Sequence, residues 1–204
     1  FFYIFFCLAL FVSSCESRNS KNLNFNINRT TSDDYLKVTK LYYIEGKSNK
    51  KGVKILSWNI QDLGGSKNTQ EINQIARIIR DYDIVAIQEV VAKDPKGAQA
   101  VAKIADELNR MGSKWDYSIS DPTKSPSSYM SERYAFIWKT SRLKLLQRPF
   151  LDAELENEII REPFIGKFQE KNEDSSFYLI NIPALFIIKI QKMKLYILKI
   201  ILKD

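Results

Sequence analysis

The sequence predicts an α+β fold, a sandwich of β-sheets with helices outside it, and three observations carry that prediction. The order of patterns is strand, helix, strand, helix, and then strands alone from Trp115 onward. Turn residues rather than further helices separate those later strands, which argues against a doubly wound parallel sheet. No internal repeat is visible, and 204 residues with 45% hydrophobic content allow one domain plus appendages.

The elements follow in order. Phe1–Val12 is almost wholly apolar, too short to span a bilayer, and leads into Val12-Ser13-Ser14-Cys15. This pattern is expected of a signal-peptide apolar core with a lipoprotein cleavage site, Cys15 being the lipidated residue. The absence of an initiator Met and of a basic n-region suggests a clipped start. A buried apolar strand or helix is the alternative for this run. The other cysteine, Cys7, falls inside the expected leader, so no disulfide can form in the mature chain. Residues 16–52 begin with a stretch rich in Asn, Ser and charge and are expected to form a tether; Tyr35–Ile44 fits a strand or more linker.

The folded domain is expected over 53–182. Val53–Ile60 is a strand ending at the turn signal Gln61-Asp62-Leu63-Gly64-Gly65. Asn68, three residues before Glu71, makes a capping-box start, and Ile72, Ile75, Ala76 and Ile79 share one helical face. Ile84–Gln88 is a short buried strand. Ala98, Val101, Ala102, Ala105 and Leu108 set a second helix that closes near Gly112. Strands are expected at Trp115–Ser120, Tyr134–Lys139, Leu143–Gln147, Phe164–Gln169 and Phe177–Ile182, with a Pro- and Ser-rich surface loop over Asp121–Ser128.

Net charge is +7, but five Lys and one Asp lie in 183–204, so the remainder carries only +3. That is a weak argument for a nucleic-acid partner by itself.

Three motifs carry the chemistry: Lys54 to Ile60, Asp83 to Val90, and Ser131 to Trp138. Each sets a polar residue at the end of an apolar strand. Asn59 and Glu89 emerge side by side if their strands pair, and an amide oxygen beside a carboxylate makes a hard-oxygen site for Mg2+ or Ca2+. Such an ion binds a phosphate oxygen and takes up developing charge. Glu132 begins the third strand, where it could assist a base. Taken singly, a strand-end Glu is an ordinary solvated carboxylate, and Ser-Glu-Arg-Tyr an exposed edge with a local ion pair.

Together, the strings SWNIQDLG, DIVAIQEV and SERYAFIWK resemble the endonuclease/exonuclease/phosphatase superfamily. With Arg161-Glu162-Pro163-Phe164 they are most similar to its deoxyribonuclease I-like branch. The resemblance runs from about Val53 to Asn181. It implies a partial four-layer β-sandwich with outer helices, and divalent-metal-dependent hydrolysis of phosphodiesters with DNA as substrate. It implies Mg2+ as the cofactor, with Ca2+ or Mn2+ as substitutes. Asn59 and Glu89 would belong to the metal and catalytic site, Glu132 would support a catalytic histidine, and Arg161 would hold substrate phosphate. Gln61 stands where this branch often has Arg, which implies weaker contact with the DNA backbone.

The pattern also breaks. The chain contains no His, and Pro183 stands where related sequences place a catalytic one. Proline offers no side-chain donor or acceptor. An Asp-x-Asn element and a closing Asp-His pair are missing too. Instead, 186–204 is composed almost entirely of Ile, Leu, Lys, Phe and Met. That bias suggests out-of-frame translation after a slip near Asn181–Leu185. The alternative is a basic amphipathic helix on anionic membrane, with Lys192, Lys199 and Lys203 on one face. The resulting expectation is an exported, lipid-anchored, monomeric protein of the bacterial cell envelope with impaired nuclease activity. Rival readings are a phosphatase acting on phospholipid head groups and a non-catalytic lipoprotein binding anionic polymers.

Overall fold

The structure is a computed structural model and describes residues 9–13, 52–125, 127, 130–155, 160–174 and 176–182. Cys15, the expected tether over 16–52 apart from Gly52, Pro183 and the Lys/Ile-rich tail lie outside the described residues. The elements are β1 (Ala9–Ser13), β2 (Ile55–Leu63), α1 (Thr69–Ile79), β3 (Ile84–Val91), α2 (Lys96–Arg110) and β4 (Trp115–Ile119). After these come β5 (Glu132–Lys139), β6 (Leu143–Leu151), a 3-10 turn at Ala153–Leu155, β7 (Phe164–Glu170) and β8 (Ser176–Asn181).

Two four-stranded sheets result, ordered β2-β3-β5-β4 and β1-β8-β7-β6. Among the described strands only β2 and β3 run parallel; every other neighbouring pair is antiparallel. This is the α+β sandwich that the sequence predicts. Strand alternation explains the layering, because β3 and β5 bury both faces. Val85, Ile87, Ala135 and Ile137 face the helices, where they join Ile72, Ile75, Ala76 and Ile79 of α1 and Val101, Ile104 and Leu108 of α2. Ile84, Ala86, Tyr134, Phe136 and Trp138 face the other sheet and meet Leu143, Phe164, Phe168, Phe177 and Leu179. Aromatic rings dominate that second core: Phe136 stacks on Phe164 at 4.9 Å and meets Phe168 edge-on at 5.6 Å. A third cluster, Ile165, Tyr178, Ile180 and Ile182, includes β8 positions that alternate with those of the aromatic core.

α1 follows its sequence signals, whereas α2 buries Gly97, Ala100 and Ile104 beside the expected Val101, Ala105 and Leu108 and leaves Ala98 and Ala102 half-buried. Asn68 caps α1 by accepting from Glu71 N at 3.0 Å, and the Glu71 carboxylate accepts from Asn68 N at 2.8 Å, closing the expected capping box. Pro95 starts α2 without a side-chain cap; its fixed φ is pre-set for helix.

Several boundaries differ from expectation: β3 runs past Gln88 to Val91, and β5 starts at Glu132, two residues before Tyr134. β2 begins later and continues through Gln61-Asp62-Leu63, the stretch expected to turn, because it pairs again with β3 at Leu63↔Val90 after a register shift. β6 extends past Gln147 to Leu151, across Pro149. As an edge strand with a register shift between Gln147 and Phe150, it tolerates a residue without an N–H. Finally, Ala9–Ser13, part of the expected leader, pairs antiparallel with β8 from Ala9↔Asn181 to Ser13↔Phe177.

Candidate active site

The ends of β2, β3 and β5 bring the three motifs together. Parallel pairing sets Asn59 opposite Gln88, next to Glu89. Asn59 Nδ2 donates to Glu89 Oε1 at 2.6 Å. Glu132 opens β5 opposite Val91, two residues beyond Glu89 on β3. Its Oε1 is 2.8 Å from an Arg161 terminal nitrogen, with each side chain less than one fifth exposed. Arg161 Nε also donates to Met130 O at 3.1 Å. The four positions marked by the sequence therefore form two hydrogen-bonded pairs at one end of the sheet.

The backbone at this end is unusual. Asp62 and Glu89 are the non-glycine residues with positive φ among the described residues, at 50° and 58°. Holding such residues left-handed costs about 1–3 kcal/mol each, and strain of this kind concentrates at functional sites. At Glu89 it accompanies a bulge. β3 spends Gln88 and Glu89 between the pairs Ile87↔Ala135 and Val90↔Arg133, while β5 spends only Tyr134.

Glu132 sits on a scaffold of loop contacts. Its N–H donates to Thr123 Oγ1 at 3.1 Å, and Ser131 Oγ donates to Thr123 O at 2.7 Å. Buried Glu162, beside Arg161, accepts from Lys124 N through both oxygens at 2.9 and 3.0 Å. The Glu of Arg-Glu-Pro thus ties the loop down so that Arg161 and Glu132 meet. Sequence reasoning gave Glu162 and Thr123 no role, since Glu162 meets the backbone of Lys124 on a distant loop and Thr123 meets Ser131 and Glu132 across that loop.

Burial raises the Glu132 carboxyl from 4.5 to about 7; Arg161 opposes the shift, while Glu89 and Asp62 reinforce it. A 2.8 Å ion pair thus coexists with a raised pKa because desolvation outweighs one guanidinium. Asp62, exposed at the end of β2, enters the site only through this field, and sequence reasoning missed it. The sign of the linkage is definite. A carboxyl whose folded pKa exceeds its unfolded one contributes stability that is full below pH 4.5 and lost as pH rises through 7. In chelator, the protein should therefore lose stability between about pH 4.5 and 7, by no more than about 3 kcal/mol. Urea melts should show this slope flattened in Glu132→Gln; an unchanged slope would place the titrating group elsewhere.

Two buried oxygens here lack partners: Asn59 Oδ1 and Glu132 Oε2 accept no hydrogen bond. Carboxylate and amide oxygens left unpaired beside Glu89 are a donor set suited to a hard divalent cation. Among the described residues, however, no three or more carboxylate, His or Cys side chains cluster as a metal cage.

The far end of the same strands is structural. Asp83 accepts from Lys54 N at 3.0 Å and lies 3.8 Å from Lys139 and 3.7 Å from Arg142, which pairs with Glu170 at 2.8 Å. These contacts tie β2, β3, β5 and β7 together.

No family model matches the chain. Three curated proteins are similar to it. A protein from Thioalkalivibrio sp. (strain K90mix) named "Deoxyribonuclease" is 29% identical over 126 residues, 61% of this chain and 33% of that protein. "Deoxyribonuclease-1-like 1" of Sus scrofa is 33% identical over 118 residues, 56% and 36% of the two chains. "Deoxyribonuclease-1" of Bos taurus is 35% identical over 123 residues, 57% and 42%. The match thus spans between a third and rather under half of each relative's length. Over that stretch the chain is similar in sequence to these proteins named deoxyribonucleases, and it folds as the α+β sandwich described above.

Proposed function

We propose that the Asn59–Glu89 and Glu132–Arg161 pairs are part of a divalent-metal-dependent phosphodiesterase site whose substrate is DNA. What supports this reading is the assembly of three separate motifs at one sheet end, above all the 2.6 Å contact between Asn59 and Glu89. Glu89 and the Asn59 carbonyl would hold Mg2+, with Ca2+ or Mn2+ able to take its place. Bound there, the ion would draw charge from a phosphate oxygen. Arg161 supplies a planar guanidinium suited to phosphate, already held in place by Glu132 and Met130 O. Glu132, with a pKa near 7, can hold or release a proton at Oε2 around neutral pH.

With no histidine among its 204 residues, the chain as it stands should cleave poorly. Catalytic groups that act as one unit do not contribute additively, so restoring His at Pro183 alone should recover little. Plasmid relaxation with Mg2+ tests the reading. The expected result is slow, chelator-sensitive nicking that disappears in Glu89→Gln. Vigorous nicking indifferent to chelator would overturn it, and turnover of a phospholipid head group without nicking would favour a phosphatase.

Export and lipid anchoring through Cys15 belong to the same proposal, supported by the Val12-Ser13-Ser14-Cys15 pattern. Cys15→Ser should abolish labelling with a fatty-acid probe and release the protein from membranes. Persistent labelling would refute the anchor.

A further inference from the structure

Two buried amides lie between the sheets, and the site described above gives them no task. Gln88 on β3 and Asn181 at the end of β8 are 1% and 0% exposed. Gln88 Nε2 donates to Asn181 Oδ1 across the sandwich, and reaches Ser57 Oγ and Ala86 O at 3.2 Å each. Asn181 Nδ2 donates to Ile87 O at 2.9 Å and to Ala135 O at 3.4 Å.

Those two carbonyls belong to the last regular pair of the β3–β5 ladder before the bulge. A bulge interrupts the ladder beyond this pair, and each carbonyl oxygen can accept a second hydrogen bond. Asn181 reaches over from the opposite sheet and clamps both carbonyls through its one amide nitrogen at the point where the regular ladder stops. Immediately beyond lies Glu89 in its left-handed conformation, with its carboxylate on Asn59. A side chain that only stabilised the sandwich would be better replaced by an apolar one. Here, moreover, the pair leaves Gln88 Oε1 buried without a partner.

We infer that Asn181, oriented by Gln88, is a positioning residue: it holds the β3 bulge and thereby aims the Glu89 carboxylate at Asn59 and into the cation site. The aiming of Glu89 stands on the geometry alone, whereas its consequence for cation affinity rests on the function proposed above. Asn181 is thus a link between the two sheets, through which movement of β8 reaches the carboxylate.

The experiment is NMR on the full chain, reading the Glu89 carboxyl carbon shift and the Asn59 side-chain amide exchange, followed by a Mg2+ titration. The variants are Asn181→Leu and Gln88→Met, with Leu143→Ala as a destabilised control in the aromatic core. Asn181→Leu should move the Glu89 signal, speed Asn59 amide exchange and weaken Mg2+ binding about tenfold or more, as loss of an outer partner does at other metal sites. Should that variant fail to fold, Gln88→Met decides. It removes the unpaired oxygen, keeps the bulk and frees Asn181 Oδ1, so the same signals should shift in the same direction by less. Leu143→Ala should lower stability and leave both signals in place. Unmoved Glu89 and Asn59 signals in a folded Asn181→Leu or in Gln88→Met would overturn the inference, as would an equal shift in Leu143→Ala. If the unaltered chain binds no Mg2+, the cation reading fails, and the Glu89 and Asn59 signals still decide whether Asn181 positions the carboxylate.

Discussion

Glu89→Gln is expected to weaken Mg2+ binding about 100-fold, whereas Glu132→Gln should weaken it by less than about tenfold. Glu89 is the carboxylate in contact with Asn59, and its backbone is held in a strained conformation to place it there. Removing its charge deletes an anionic ligand and leaves an amide dipole in its place. Glu132 differs in two respects: Arg161 already neutralises one of its oxygens, and burial favours its protonated form near neutral pH. It therefore offers less net charge to a cation until one binds. Titration calorimetry at pH 7 compares the two variants, and equal losses would contradict the division of roles between them.

Gly97→Ala should be the most destabilising single methyl addition in the domain. A Cβ built at Gly97 would stand 2.0 Å from Val91 O and 2.9 Å from Val91 C. Both are backbone atoms of the strand that carries Glu89, so no side-chain rotation relieves the clash. Overpacking of this kind costs about 3 kcal/mol, which corresponds to a drop of about 10 °C in melting temperature for a domain of this size. The strand end would have to shift, so loss of Mg2+ affinity should accompany the loss of stability. Gly52→Ala is the control, because nothing lies within 4 Å of its Cβ position and its melting temperature should not change. A calorimetric melt that leaves Gly97→Ala within about 1 °C of the unaltered chain would show that α2 does not press on β3 here.

Local signals made much of this legible. The capping box at Asn68 and Glu71 and the apolar face of α1 need only residues a turn apart, and both appear as expected. The near-continuous apolar runs of β3 and β5 are written in their own residues, and burial on both faces follows from them. The Asn59–Glu89 pairing was likewise open to inference, since each residue ends an apolar run and the runs are adjacent strands. What stayed hidden depends on distant partners. Gln61-Asp62-Leu63 has turn-like composition, yet it extends β2 because Leu63 finds Val90 beyond a register shift. Gln88 was visible as a polar residue in an apolar run, but its partner is 93 positions away. Asn181 reads as one more position of the strand expected over Phe177–Ile182, yet its amide reaches the Ile87 and Ala135 carbonyls of the other sheet. Asp62 carries no signal beyond its turn-like neighbours; its left-handed φ and its influence on Glu132 exist only in the folded chain.

The central claim is that a divalent cation binds between Asn59 and Glu89. Paramagnetic Mn2+ titrated into the isotope-labelled chain tests it most directly, because line broadening falls steeply with distance from the ion. The account predicts that signals of Asn59 and Glu89 vanish first, followed by Glu132 and Asp62, while those of Asp83 and Glu170 at the far end of the strands persist. Broadening that begins around Asp83, or spreads evenly over the surface acids, would contradict it.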